Sequence, residues 1–174
     1  MRSTWIVTIG LTFAASAGAQ EFQPPRVSQG DSVGTRLGLF GFGTRGGIDV
    51  SDRSQLVFGT TLDVGNLVNN RVRLRPSGEI GVFNGPNTFA GSLEALFRLT
   101  EDDQLAIPYV GLGFSIAGRE DCSRIRDCPD FWANFVFGFE LHYRSTYNWL
   151  LEYHGMDAFR QNRLYVGLTT RRGS

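Results

Sequence analysis

Lysine is absent from this sequence: all 17 basic residues are arginines, and they stand against 17 acidic residues. A nucleic-acid-binding protein would be expected to carry a basic surplus, so the balanced charge argues against that class. Two explanations of the missing lysine stay open. A GC-rich genome favours arginine codons, and arginine also suits buried pairing with carboxylates better, because its planar guanidinium is bidentate and more weakly hydrated.

Long apolar runs are also missing. Residues 5–15 form the longest one, and Glu21 follows soon after, so the run is shorter than the roughly 20 apolar residues of a membrane helix. Arg2 before this run and small residues after it are typical of a secretory signal peptide, which we predict at 1–19. Without it the formal net charge is 16 − 17 = −1. Residues 20–32 are predicted to be an N-terminal periplasmic lead.

Cysteine and histidine are scarce, with two residues of each. Cys122 and Cys128 share one polar stretch, and in an exported protein such a close pair is predicted to form a disulfide bond that stiffens a loop. His142 and His154, with both cysteines used, leave too few ligands for a metal site. No glycine-rich phosphate loop precedes a helix. We therefore predict neither a metal nor a cofactor.

A two-residue period runs through the rest of the chain. It is clearest over 131–142, where odd positions are apolar while even positions include Asn134, Gly138 and Glu140. Such alternation indicates a strand with two unlike faces, and no helical period is sustained. Turn-rich separators predict eight strands at about 38–50, 55–65, 70–82, 89–99, 106–117, 131–142, 147–155 and 160–170.

Charged residues keep to one face of each predicted strand. Leu96 and Leu150 are exceptions, because they are apolar but fall on the polar faces, which are rich in glycine and serine. The polar faces hold six arginines and six carboxylates: Arg45, Arg71, Arg73, Arg75, Arg98 and Arg163, with Asp49, Asp63, Glu79, Glu94, Glu140 and Glu152.

Alternation alone fits a soluble barrel with an apolar lumen as well as a membrane barrel with an apolar exterior. The balanced charge of the polar faces favours a closed lumen, because arginine and carboxylate side chains can satisfy one another's hydrogen bonds there. The apolar faces then meet lipid, and Phe135, Phe137, Phe139 and Trp149 are predicted to face it. The predicted lumen charge network consists of Arg45, Asp49, Asp63, Arg73, Arg75, Glu79, Glu94, Arg98, Glu140 and Glu152.

Aromatic residues also flank two of the predicted turns. Phe83 and Phe89 flank one, and Tyr143 and Tyr147 flank another. This placement is typical of the aromatic girdles at membrane interfaces. Aromatic residues near turns are also ordinary in β proteins, so both interpretations stay open.

The chain resembles the small eight-stranded outer-membrane barrels of Gram-negative bacteria, of the OmpA/OmpX type. The resemblance covers 33–170 and is carried by the motifs at Gly46–Val50, Arg73–Ser77, Pro108–Gly113 and Leu164–Thr169. It implies an all-β, eight-stranded antiparallel up-and-down transmembrane β-barrel in the outer membrane. One departure concerns the end of the last strand, where family members usually have an aromatic residue. In this sequence Thr170 occupies that place and a tail at 171–174 follows.

The resemblance also implies function and partners. It implies a monomeric, non-enzymatic barrel that meets outer-membrane lipids, lipopolysaccharide and the outer-membrane assembly machinery. Eight strands leave an interior just wide enough for side chains, so a structural or surface-interaction role is expected rather than general diffusion. If both termini are periplasmic, the cysteine loop lies outside the cell.

Two other functions remain in competition. A lipid-modifying enzyme on the same barrel would draw on Glu140, His142, Ser145, Glu152 and His154, which offer acid, base and nucleophile types. Their spacing matches no lipase motif. A soluble, exported lipocalin-like carrier would place the apolar faces inside instead.

Overall fold

A computed structural model describes most of the chain. It covers residues 34–51, 54–68, 71–100, 104–122, 129–143 and 146–170. The predicted signal peptide at 1–19, the lead at 20–32 and the tail at 171–174 lie outside these residues. Within the described ranges, no helix is long and apolar enough to cross a membrane.

Eight antiparallel strands close into one barrel. Each strand pairs with its neighbours in sequence, and β1 pairs with β8 to complete the cylinder. The predicted up-and-down barrel is therefore confirmed, and each strand end lies within two residues of its predicted position. The strands are β1 (Arg36–Asp49), β2 (Gln55–Asn66), β3 (Val72–Val82), β4 (Thr88–Arg98), β5 (Ala106–Arg119), β6 (Asp130–His142), β7 (Tyr147–Met156) and β8 (Gln161–Thr170).

The up-and-down order divides the connections between the two ends of the barrel. We call the end where β1 begins and β8 ends the terminal end, and the opposite one the distal end. The terminal end carries 67–71, 99–105 and 143–146, and the distal end carries 50–54, 83–87, 120–129 and 157–160.

Two of the distal connections use left-handed backbone. Phe83 and Asn84 have φ values of 64° and 58°, and the run Asp157–Phe159 has three positive φ values in succession. Mirror-image turn conformations of this kind match the twist of the two strands they join, which allows the chain to reverse within a few residues. The barrel consequently has little loop structure at these two corners.

The outer and inner faces of the barrel wall differ in polarity, as the two-residue period predicts. Large apolar side chains point outward and stay exposed, whereas charged side chains point inward and are buried. Among the four residues predicted to face lipid, Phe137 and Trp149 are 38% and 43% exposed. Phe135 and Phe139 also point outward but are half-buried, because Phe139 packs edge-on against Phe137 and Phe135 packs against Phe159.

Candidate functional site

Glu152 on β7 lies in the centre of the lumen and holds two arginines. Its Oε2 accepts a hydrogen bond of 2.7 Å from Nη1 of Arg45 on β1, and its Oε1 forms an ion pair with Nη1 of Arg75 on β3. The hydroxyl of Tyr109 on β5 donates a hydrogen bond to Oε1. A single buried carboxylate therefore ties together side chains from four strands.

Glu79 on β3 is a second junction. Its Oε1 accepts a 2.6 Å hydrogen bond from Arg163 on β8, and its Oε2 accepts hydrogen bonds from Tyr165 and, at 3.4 Å, from Arg45. Arg163 also donates through Nε to Asp49 on β1 at 2.9 Å. Arg45, which binds the central carboxylate as well, joins the two junctions into one network.

Glu94 on β4 is the third junction. Its Oε2 accepts two hydrogen bonds from Arg75, at 3.0 Å from Nε and at 2.9 Å from Nη2. Its Oε1 accepts no hydrogen bond from the described residues and lies 3.5 Å from Nδ1 of His154. We call the connected set the central cluster: Asp49, Glu79, Glu94, Glu152, Arg45, Arg75, Arg163 and His154.

Glycines in the wall make room for the long side chains of the lumen. Tyr109 is directly opposite Gly138 on the next strand, and Tyr165 is directly opposite Gly47. The guanidinium carbon of Arg45 lies 4.4 Å from the centre of the Tyr165 ring, within range of a cation–π interaction. Both rings thus lie flush with the wall and support the charged groups.

An apolar cluster fills part of the lumen between the central cluster and the terminal end. It consists of Leu96, Tyr109, Val136 and Leu150, each of which is at most 3% exposed. Leu96, Val136 and Leu150 all lie in the phase of the polar faces of their strands. Their place in the pattern is explained by this packing.

Two further ion pairs lie nearer the terminal end. Arg98 pairs with Glu140 at 3.8 Å, and Asn148 donates a 3.2 Å hydrogen bond to the same carboxylate. Arg73 pairs with Asp63 at 3.6 Å. Both pairs join an arginine and a carboxylate on different strands.

The structure places all ten residues of the predicted lumen charge network on the inner wall. Nine are buried and Asp63 is half-buried. The expectation of six arginines against six carboxylates is wrong at Arg71, which is exposed. Because β3 begins at Val72, the Arg71 side chain lies beyond the strand, at the terminal end.

Sequence reasoning missed four members of the site. The polar faces include Arg163, but the predicted network does not, and His154 enters the predictions only as a metal-ligand or catalytic candidate. Tyr109 and Tyr165 are not assigned to the lumen site. All four share the two-residue phase of the buried residues on their own strands, and that phase is the available signal.

The described residues among the candidates for lipid-modifying chemistry are not assembled into one site. Glu152 and His154 are 3.2 Å apart, but both are 1% exposed inside the central cluster. Glu140 belongs to the separate pair with Arg98, and His142 ends β6 at the terminal end. Ser145 lies outside the described residues.

The predicted disulfide remains a prediction. Cys122 follows β5 at the distal end, whereas Cys128 and the rest of 123–128 lie outside the described residues. Cys122 is the third residue of the longest connection at the distal end, 120–129.

Comparison with known proteins supports the same fold. No family model and no curated protein matches the chain. The N-terminal β-barrel domain of Pseudomonas aeruginosa OprF is similar in structure, with a TM-score of 0.58 at 13% identity, covering 76% of this chain and 98% of that one. Neisserial surface protein A has a TM-score of 0.55 at 10% identity, covering 75% and 94%.

A designed protein is similar as well. It is a de novo transmembrane β-barrel with a TM-score of 0.51 at 10% identity, and the match covers 76% of this chain and 96% of that one. At such identities the likeness concerns the fold alone. The chain has the fold of small eight-stranded transmembrane β-barrels, as the resemblance to the OmpA/OmpX type implies.

Proposed function

We propose that this chain is an integral outer-membrane β-barrel protein with a closed lumen, and that its role is structural or surface-interacting rather than enzymatic or pore-forming. Its surroundings would be outer-membrane lipids and lipopolysaccharide, and it would be inserted as a monomer by the outer-membrane assembly machinery. The name of Neisserial surface protein A agrees with such a surface location.

The observation that carries the proposal is that apolar side chains cover the outside of the barrel while charged side chains face the lumen. Side chains such as Phe114, Leu112 and Phe131 are 67%, 68% and 75% exposed on the outside. Exposed apolar area this extensive is abnormal for a protein in water and suits hydrocarbon. Inside, an apolar ligand of the kind that a lipocalin-like carrier holds would have to displace the buried charges of the central cluster.

Side chains that cross the lumen support the proposed absence of general diffusion. Arg45, Arg75 and Arg163 reach across the lumen to carboxylates on other strands, and the apolar cluster fills a second level. Opening a path would require breaking several buried ion pairs at once, which leaves uncompensated charges at a cost of several kcal/mol each. We therefore expect no steady open channel from the purified protein in a planar bilayer.

Cell fractionation tests the membrane assignment. The expected result is recovery of the mature protein in the carbonate-insoluble membrane fraction, together with a heat-dependent mobility shift on a denaturing gel. A mature protein that stays in solution without detergent would overturn the proposal and favour the exported carrier. Altered lipid A in cells carrying the protein, measured by mass spectrometry, would instead favour the enzyme.

A further inference from the structure

The connection 157–160, which we call the β7–β8 turn, has an unusual backbone. Asp157, Ala158 and Phe159 have φ values of 49°, 52° and 65° in succession. The left-handed region brings the Cβ atom of an L residue close to the following carbonyl oxygen, and glycine, which avoids this contact, is absent from the run. Backbone strain of this kind persists only where surrounding contacts hold it. The contacts of the turn therefore indicate its purpose.

Two hydrogen bonds hold the β7–β8 turn in place. The backbone N–H of Arg160 donates to the carbonyl oxygen of Asp157 at 3.1 Å. The side-chain Nδ2 of Asn162 on β8 donates to the carbonyl oxygen of Phe159 at 2.9 Å. These bonds fix the direction in which the Phe159 side chain leaves the backbone.

The Phe159 ring folds back over the outer face of the barrel. Its centre lies 6.0 Å from that of Phe135 on β6, and it covers Gly155 on β7, the residue opposite Phe135. A Cβ atom added at Gly155 would lie 2.5 Å from Cε1 of Phe159. Gly155 has the outward phase of β7, yet it is buried. The glycine therefore leaves room for the ring on the outer side of the wall.

The exposed part of the turn combines an apolar ring with a positive charge. Phe159 is 56% exposed despite its contacts. The Arg160 side chain is 81% exposed, and its Nη1 lies 3.9 Å from Oδ2 of Asp157, in the kind of exposed ion pair that contributes little. An aromatic ring beside an exposed arginine suits the boundary between acyl chains and charged headgroups.

A second distal turn has a similar feature on the opposite side of the barrel. Phe83, in the connection between β3 and β4, also has a left-handed backbone and is 67% exposed. The two corners are four strands apart in a cylinder of eight, so Phe83 and Phe159 lie on opposite sides of the distal rim. Anchors at opposite points of one rim fix the depth and the tilt of a barrel in a bilayer.

We propose that the β7–β8 turn is a lipid-binding site, in which Phe159 inserts at the boundary of the acyl chains and Arg160 binds the phosphate of an anionic lipid. The site rests on the outer-membrane location proposed above and supplies the contact that sets the depth of the distal end. The planar guanidinium of arginine matches phosphate oxygens in geometry and charge. Its weak pairing with Asp157 leaves it accessible to a headgroup.

Tryptophan quenching in phosphatidylcholine vesicles measures the depth of the turn. The reporter carries Trp132→Phe, Trp149→Phe and Phe159→Trp, so position 159 holds the one tryptophan of the mature chain. Lipid brominated on the upper acyl chain should quench its fluorescence, and iodide in the water should not. Strong quenching by iodide would overturn the proposal. Protection from both quenchers would also overturn it, because a distal loop or a second copy of the chain would then cover the turn.

A reference variant separates this site from the membrane location on which it rests. Trp132→Phe alone retains Trp149, which points outward from β7 and is 43% exposed. Quenching of Trp149 by brominated lipid without quenching at position 159 would overturn the lipid-binding turn alone. Loss of quenching at both positions would overturn the membrane location as well.

Lipid selectivity tests Arg160. In phosphatidylcholine vesicles with a minor fraction of phosphatidylglycerol, the brominated anionic lipid should occupy the site about fivefold more often than brominated phosphatidylcholine at equal mole fraction. Arg160→Gln in the reporter should abolish this preference. Arg119→Gln should retain it, because Arg119 is an exposed distal arginine at the end of β5. Equal quenching by the two lipids without either change would overturn the proposal.

A second reporter keeps the comparison possible if Phe159→Trp does not fold. Phe135→Trp places its ring against Phe159 on the outer face. The same preference for the anionic lipid is expected there, and it should again disappear with Arg160→Gln. A preference that survives Arg160→Gln would contradict the assignment of the phosphate to Arg160.

Discussion

Tyr109 and Gly138 are opposite each other on the paired strands β5 and β6, and the tyrosine ring occupies the space that a side chain at Gly138 would need. A Cβ atom added at Gly138 would lie 2.6 Å from Cζ of Tyr109. Tyr165 and Gly47 repeat the arrangement at the β1–β8 junction, where the added Cβ would lie 2.8 Å from the ring. Each ring therefore depends on a glycine in the neighbouring strand.

Gly138→Ala should destabilise the barrel by about 1–3 kcal/mol, the usual cost of overpacking. The Tyr109 ring must move, and its hydrogen bond to Glu152 moves with it. Urea unfolding in detergent, followed by tryptophan fluorescence, measures the change. Gly91→Ala is the matched control, because an added Cβ there meets no atom within 4 Å. Equal losses in both variants would contradict the packing argument.

Leu150 and Leu151 are neighbours on β7 that face opposite sides of the wall. Leu150 is 1% exposed in the apolar cluster and Leu151 is 49% exposed on the outside. Leu150→Ala should cost about 2–5 kcal/mol through the cavity it leaves. Leu151→Ala leaves no cavity, and its cost in the same unfolding assay should be markedly smaller. A reversed order would mean that the two faces have been exchanged.

Glu152→Ala should be among the most damaging single changes in the lumen. It leaves Arg45 and Arg75 short of a carboxylate, and breaking a buried ion pair from one side costs about 3–5 kcal/mol. Asp121→Ala provides the contrast, since Asp121 pairs with Arg119 and their side chains are 52% and 46% exposed. That change should fall within about 1 kcal/mol of the wild type. The urea midpoints of the two variants measure these losses of stability, and equal midpoints would contradict the central role of Glu152.

Phe137→Arg tests the outer face directly. Phe137 lies near the middle of β6 and points outward, so an arginine there would be placed in hydrocarbon at a cost of about 2–4 kcal/mol. The yield of folded protein after dilution from urea into lipid vesicles should fall, whereas Phe137→Leu should fold normally. An unchanged yield for Phe137→Arg would argue against a lipid-facing position.

The strand pattern could be predicted because it depends on local alternation. The turn-rich separators mark the approximate strand ends, and the period of two predicts the inward direction of Glu94 and Arg75. Arg71 shows the limit of that reasoning, because phase alone does not tell where a strand ends. The side chain keeps the correct phase but lies one residue before β3.

Pairing inside the lumen could not be predicted in the same way. Arg45 binds Glu152 and Glu79, which are 107 and 34 residues away in sequence. Which carboxylate it reaches depends on the stagger of strands around the cylinder, and alternation carries no information about stagger. His154 was missed as a structural residue because its role depends on two carboxylates from different strands.

The ion pair across the β1–β8 junction has a consequence for how the barrel forms. Arg163 and Asp49 are 114 residues apart in sequence and lie on the first and last strands to be synthesised. Until these strands meet, Arg163 has no Asp49 to bind and Tyr165 has no Gly47 opposite it. Contacts of such high sequence separation make folding slow. The same contacts form only when β1 pairs with β8, so they stabilise the barrel in the last step of folding. The eight strands should therefore become stable together when the cylinder closes.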